Sequence, residues 1–160
     1  MPTYWPKMIT AIPIPANLAL FMTSGTIAKM MTAMEMGRID LMVRTGFFKL
    51  ARKNGWYFPS KSVSVQFLRP LKAFQKAELM TRVCYVDERY IYTEQKITRG
   101  SKDIALSIAK STVKKGRETI PMSEIATVLG LGTLPDGGKQ VIESLERKNS
   151  LLHDHLCKQD

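Results

Sequence analysis

The segment from Thr23 to Asn54 restricts this chain more than any other, because its apolar residues keep a helical period and then stop. Ile27, Met30, Met31, Met34, Leu41 and Met42 recur three and four apart, the spacing of a helix with a wide buried face. Thr23, Ser24 and Gly25 supply the capping chemistry ahead of it. Helical character continues in broken form past Gly46 through Phe47, Phe48 and Leu50, and Asn54-Gly55 makes a C-terminal stop. The period then falls to two. Val63, Val65 and Phe67 alternate with Ser62, Ser64 and Gln66, which predicts a half-buried strand running into Arg69-Pro70. Leu79 to Tyr85 and Tyr90 to Thr98 follow as strands joined at Asp87-Glu88. Gly100-Ser101 turns the chain into a fourth, in which Ile104, Leu106 and Ile108 alternate with other residues. One long apolar helix followed by an antiparallel meander is an α+β order. The helix is apolar over more than half its circumference, so the sheet is expected to wrap it.

The flanks are less informative. Residues 1–22 read as an extended, Pro-punctuated lead-in, with no clean signal-cleavage pattern and no uninterrupted apolar run of membrane-spanning length. After Pro121 a short helix is expected, with Ser123 as its N-cap. The Gly-rich stretch at 130–138 reads as a linker, and Val141 to Leu156 as a charged tail that is helical or partly disordered. The division expected is one domain over 1–130 and a linker with a polar tail over 131–160. At 160 residues and 44% apolar content, the chain can bury a proper core.

Two cysteines, Cys84 and Cys157, form no disulfide framework and no metal-ligand spacing, which suits the cytoplasm. A net charge of +10 favours anionic partners: nucleic acid, anionic lipid or a phosphate-rich cofactor. Such a charge also serves solubility alone. The basic residues are spread over 44–53, 61–76 and 110–117, without aromatic interleaving or a helix-turn-helix or zinc-knuckle pattern. No nucleic-acid partner is therefore expected, and no cofactor is implied.

The stretch Met34-Glu35-Met36-Gly37-Arg38-Ile39-Asp40-Leu41-Met42-Val43-Arg44-Thr45-Gly46-Phe47-Phe48 resembles the central helix of a bacterial branch of the 4-hydroxybenzoyl-CoA thioesterase-like hotdog family. Val63-Ser64-Val65-Gln66-Phe67-Leu68-Arg69-Pro70-Leu71 resembles the next strand of that branch, and Tyr92-Thr93-Glu94-Gln95-Lys96 a later one. The likeness runs over about residues 17 to 130. It implies a hotdog fold, in which an antiparallel sheet wraps a long helix. It also implies hydrolysis of acyl-CoA thioesters, and a homodimer or homotetramer with sites between subunits.

The family's catalytic loop typically reads Asp-x-Asn-x-His-Met-x-Asn-Gly. Here the matching residues are Asn17-Leu18-Ala19-Leu20-Phe21-Met22-Thr23-Ser24-Gly25. Met22 and Gly25 agree with the pattern. Asn17 stands for the acid, Phe21 for the histidine and Ser24 for the later asparagine. The departures matter because thioester hydrolysis needs a base for water and donors for the developing oxyanion. Asn17 cannot abstract a proton, and Phe21 neither donates nor accepts a hydrogen bond. Backbone N–H groups at the helix start, near Gly25 and Thr26, remain able to bind an oxyanion.

Some hotdog thioesterases carry their carboxylate on the long helix, and Glu35 is the acid in its first half here. Against that stands a surface glutamate paired with Arg38, three residues on. Arg69, Lys72 and Arg99 suit coenzyme A phosphates, or are ordinary charges at strand ends. The methionines of the helix read as core first and as an adaptable acyl surface second. His153-Asp154-His155 has metal-ligand residue types but no matching ligands elsewhere. These are also the chain's two histidines, which leaves no Ser-His-Asp or Cys-His apparatus in the body of the domain and disfavours a hotdog dehydratase.

The expected site thus comprises Asn17, Gly25 and Glu35 as catalytic residues. Met22, Ser24, Thr26, Arg69 and Lys72 are expected to contact substrate. The function expected is acyl-CoA thioester hydrolysis. The alternatives are a weak or inactive relative that binds an acyl thioester, and a basic module for nucleic acid or anionic lipid.

Overall fold

A computed structural model describes residues 9–13, 26–71, 75–129, 140, 142–144, 146 and 147. The elements in chain order are β1 (Ile9–Pro13), α1 (Thr26–Arg44), α2 (Phe47–Asn54), β2 (Ser60–Phe67), β3 (Glu78–Val86), β4 (Ile91–Arg99), β5 (Lys102–Ser111), β6 (Lys114–Lys115), β7 (Glu118–Thr119) and α3 (Met122–Leu129). The long helix ends where the sequence weakens it. Gly46 adopts φ 77°, a left-handed conformation that costs other residues energy, and Gly55 closes α2 with φ 68°.

The five long strands form one antiparallel sheet in the order β1-β3-β4-β5-β2. β3, β4 and β5 are the meander expected from their alternation and short turns. β2 precedes them in the chain yet lies beyond β5 at the sheet edge, so the chain crosses the sheet between Phe67 and Glu78. This position corrects the half-buried reading of β2. With one strand neighbour among the described residues, it leaves Val63 and Phe67 each 37% exposed.

The sheet curves over one face of α1. Met30, Ala33, Met34, Gly37, Arg38 and Leu41 are buried there. The N-terminal half of the helix packs with Leu71, Ala77, Leu79, Ile97, Ile104 and Ala105. Its C-terminal half and α2 pack with Val83, Val86, Val113, Ile120, Met122 and Ile125. Each fully buried side chain of this size contributes about 1.5–3 kcal/mol. The helix is not enclosed, however. Met36, Ile39 and Val43 are exposed on the side away from the sheet, because five strands of one chain cover only one flank of a helix.

Beyond α3, residues 140, 142–144, 146 and 147 are helical, Ile142 is buried, and Glu146 pairs with Lys110 at 2.9 Å. No helix among the described residues is long and apolar enough to cross a membrane.

Candidate active site

The centre of the helix–sheet interface is polar, which local propensity does not anticipate. Cross-strand register aligns Thr81 of β3 with Gln95 of β4, and Gln95 with Ser107 of β5. All three are buried. Thr81 and Gln95 lie under Gly37, where the helix backbone approaches the sheet closely. A Cβ at position 37 would sit 2.6 Å from Leu79 Cδ2 and from Thr81 Oγ1, and 3.0 Å from Gln95 Nε2. Glycine is required there by contact, not by backbone angle.

That approach allows Gln95 to reach the helix. Its Nε2 donates to the Met34 carbonyl at 2.6 Å and to Thr81 Oγ1 at 3.1 Å. Its Oε1 accepts from Arg38 Nη1 at 3.1 Å. Arg38, 7% exposed, donates its other terminal nitrogen to Glu35 Oε2. A buried guanidinium needs both a counter-charge and hydrogen-bond acceptors. Glu35 supplies the first and Gln95 the second. The chain of contacts therefore runs Thr81, Gln95, Arg38, Glu35, from the sheet interior to the surface.

Glu35 opens onto a cleft of about 320 Å³ between α1 and β2. Met31, Met34, Val63 and Val65 give the cleft its apolar walls; Thr32, Glu35, Arg38 and Ser60 supply the polar ones. The Glu35 side chain is 56% exposed, so its carboxylate is within reach of water while one oxygen is held by Arg38. An apolar cleft with a fixed carboxylate at its rim suits an acyl chain whose reacting carbonyl lies next to a base.

Glu35 pairs with Arg38, as expected of a surface glutamate, and its side chain lies exposed at the rim of the cleft rather than turned inward. Arg69 is not among the described walls of that cleft. Arg69 is exposed at the end of β2 and donates Nη1 to the Asp103 carbonyl at 2.7 Å, which ties the chain to the start of β5. Arg99 lies at the end of β4, and Thr26 is the first residue of α1. Asn17, Met22, Ser24, Gly25 and Lys72 lie outside the described residues, as does the segment His153-Asp154-His155. Among the described residues no three His, Cys, Asp or Glu side chains are grouped to hold a metal ion.

Sequence reasoning passed over the burial of Arg38 and the role of Gln95. A signal was present: Thr93, Gln95 and Ile97 share one parity of β4, and a glutamine on the inward face is the informative exception. Two other polar groups are removed from chemistry by their surroundings. Burial pushes the Cys84 thiol up to about 11, with the Glu94 charge adding to it, so Cys84 is a poor nucleophile at neutral pH. Burial first, then the carboxylates of Glu146 and Asp87, hold the Tyr92 phenol above its ordinary range. Tyr92 therefore stays protonated, its hydroxyl 3.5 Å from each of those acids.

A long helix lying in a curved five-stranded antiparallel sheet, with a carboxylate at the helix–edge-strand cleft, defines the molecule as a hotdog-fold domain. The model of the thioesterase-like superfamily matches residues 19–126, and the chain belongs to that superfamily. A probable thioesterase of Saccharomyces cerevisiae is 34% identical over 77 residues, covering 47% of this chain and 34% of the yeast protein. The chain thus matches about a third of that relative's length. Among solved structures, a probable thioesterase from Bartonella henselae superposes with a TM-score of 0.60 at 17% identity, over 71% of this chain and 96% of the other. A 1,4-dihydroxy-2-naphthoyl-CoA thioesterase from Synechocystis superposes with a TM-score of 0.62 at 9% identity, over 76% and 94%. At these identities the superpositions speak for the fold.

Proposed function

We propose that the protein hydrolyses an acyl-CoA thioester, with the acyl chain in the cleft between α1 and β2 and Glu35 as the base. The observation that carries this reading is the Glu35 carboxylate, anchored by buried Arg38 at the rim of an apolar cleft. In the reaction Glu35 takes a proton from water as the water oxygen bonds to the thioester carbonyl carbon. The tetrahedral oxyanion then collapses, the C–S bond breaks, and the leaving thiolate receives the proton from Glu35. Gly25, through backbone N–H groups at the start of a partner copy's α1, is the proposed oxyanion donor, since about 13 Å of helix separates Thr26 from Glu35 within one chain. Asn17 is a further proposed catalytic residue, and Met22, Ser24, Thr26, Arg69 and Lys72 are the proposed substrate contacts. The test is release of free CoA from aliphatic and aromatic acyl-CoAs by the purified protein. No release from any of them overturns the proposal.

A second reading is binding of an acyl thioester without turnover. It is favoured by Asn17 and Phe21, which stand where the family pattern has an acid and a histidine. Calorimetry with a non-hydrolysable acyl-CoA separates the two: heat of binding without CoA release supports the second alone.

Self-association belongs to the same proposal. Met36, Ile39 and Val43 form an exposed apolar stripe on α1, and β2 is an edge strand among the described residues. Monomeric proteins rarely leave such surfaces open. A homodimer or homotetramer would cover them. The absence of a cysteine-pairing pattern supports a cytoplasmic setting.

A further inference from the structure

Arg38 lies between two acceptors of different charge. On its outer side Nη2 donates to the Glu35 carboxylate; on its inner side Nη1 donates to the Gln95 amide oxygen at 3.1 Å. The guanidinium is buried, whereas the Glu35 side chain is largely exposed at the cleft rim. A buried cation requires an anion, and a carboxylate competes for it better than an amide does. Because the inner acceptor is neutral, the counter-charge of Arg38 is the carboxylate at the rim.

Gln95 is itself held in one orientation. Its Nε2 donates to the Met34 carbonyl at 2.6 Å and to Thr81 Oγ1 at 3.1 Å. A carbonyl oxygen only accepts, so the Met34 contact fixes the NH2 end of the amide there and turns Oε1 towards Arg38. The Met34 carbonyl lies one helical turn before Arg38. One amide therefore spans the backbone and the side chain of the same turn. Gly37 makes the approach possible, since a Cβ there would sit 3.0 Å from Gln95 Nε2. Register flanks Gln95 with Thr81 of β3 and Ser107 of β5, both buried, so the amide has little room to rotate. Arg38 takes its position from that fixed amide, and Glu35 takes its own from Arg38.

We propose that Gln95 is a positioning residue for the reaction: acting through Arg38, it sets where the Glu35 carboxylate stands at the cleft. Its neutrality is part of that role. An isosteric carboxylate at position 95 would take the guanidinium for itself and release Glu35 to sample several rotamers in solvent. The catalytic consequence rests on the function proposed above; the placement of Glu35 rests on the contacts alone.

The test compares Gln95→Met and Gln95→Glu with the parent full-length protein, each alone and in a Glu35→Gln background. All are measured at a temperature where circular dichroism shows them folded, and should Gln95→Met melt too early, the isosteric Gln95→Glu carries the comparison. Two readouts are taken: CoA release from decanoyl-CoA and benzoyl-CoA, and the NMR signals of the Arg38 Nη–H groups and the Glu35 carboxyl carbon. In both variants kcat should fall at least about tenfold with KM within about twofold, and neither should lower kcat further once Glu35 is replaced. Gln95→Met should expose the Arg38 Nη–H signals to solvent exchange, and both variants should move the Glu35 carboxyl signal. A kcat within about threefold of the parent, or an undiminished further loss in the Glu35→Gln background, makes Gln95 a packing residue and overturns the proposal. Unmoved Arg38 and Glu35 signals also overturn it, whatever the activity. A parent protein that releases no CoA removes the hydrolase reading, and a Glu35 signal that still moves with Gln95 then supports the placement by itself.

Discussion

Gln95 and Arg38, 57 residues apart in the chain, meet 3.1 Å apart at the helix–sheet interface, and each completes the other's hydrogen bonding. Gln95 also donates to the Met34 carbonyl, so one side chain of β4 holds both the backbone and a charged side chain of α1. Replacing it by an apolar residue leaves the Arg38 guanidinium short of an acceptor inside the protein. Gln95→Leu is expected to lower stability by about 1–3 kcal/mol. Urea denaturation measures this, and a change within about 0.5 kcal/mol shows the network to be energetically idle.

Gly37 should tolerate no side chain. Gly37→Ala puts a methyl group 2.6 Å from Thr81 Oγ1 and Leu79 Cδ2, in the interior of the sheet where neither neighbour is free to withdraw. A loss of about 1–3 kcal/mol or more is expected from overpacking. A melting temperature equal to that of the parent protein would mean that the helix does not approach the sheet this closely.

Glu35 separates catalysis from binding. If it is the base, Glu35→Gln should lower kcat by about a hundredfold or more while KM changes little. The amide keeps the shape of the side chain and can still accept from Arg38, but it removes that guanidinium's counter-charge, so kcat is compared at a temperature where circular dichroism shows the variant folded. A fall in kcat of less than about threefold removes Glu35 from proton transfer.

Cys84 makes a prediction in pH. Burial pushes its thiol up to about 11, from an ordinary 9.0. The folded state therefore holds its proton more tightly than the unfolded chain. The resulting stabilisation is complete below about 9 and is lost as pH rises towards 11. Cys84→Ala should flatten the decline in stability across that window. In a Cys157→Ser background, iodoacetamide should label the native protein slowly at neutral pH and faster as pH rises. Rapid labelling at pH 7 by the folded protein contradicts the burial of this thiol.

The apolar stripe on α1 is testable by size. Ile39 is 45% exposed on the side away from the sheet. Ile39→Glu should shift an assembled protein towards monomer in sedimentation velocity, without loss of helical circular dichroism. An unchanged sedimentation coefficient assigns the stripe no part in assembly.

The local sequence determined the elements. The three-and-four spacing of Met30, Met34 and Leu41 makes a helix, Gly46 and Gly55 interrupt it, and alternation with short polar turns makes the β3–β4–β5 meander. These signals act between near neighbours, so a reading of periodicity captures them. Glu35 was legible as a candidate from its position on that helix and from the family resemblance.

Only the tertiary structure decided the rest. Nothing near Val63 says that β2 will lie outside β5 and leave its apolar residues exposed, because the crossing from β2 to β3 is a choice among sheet orders. Nothing near Arg38 says that its guanidinium is buried, because its acceptor arrives from a strand far along the chain. Helix and strand formation depends on the propensities of adjacent residues. The cleft and its anchored carboxylate depend on contacts closed across the whole chain, which exist only once the sheet has folded over the helix.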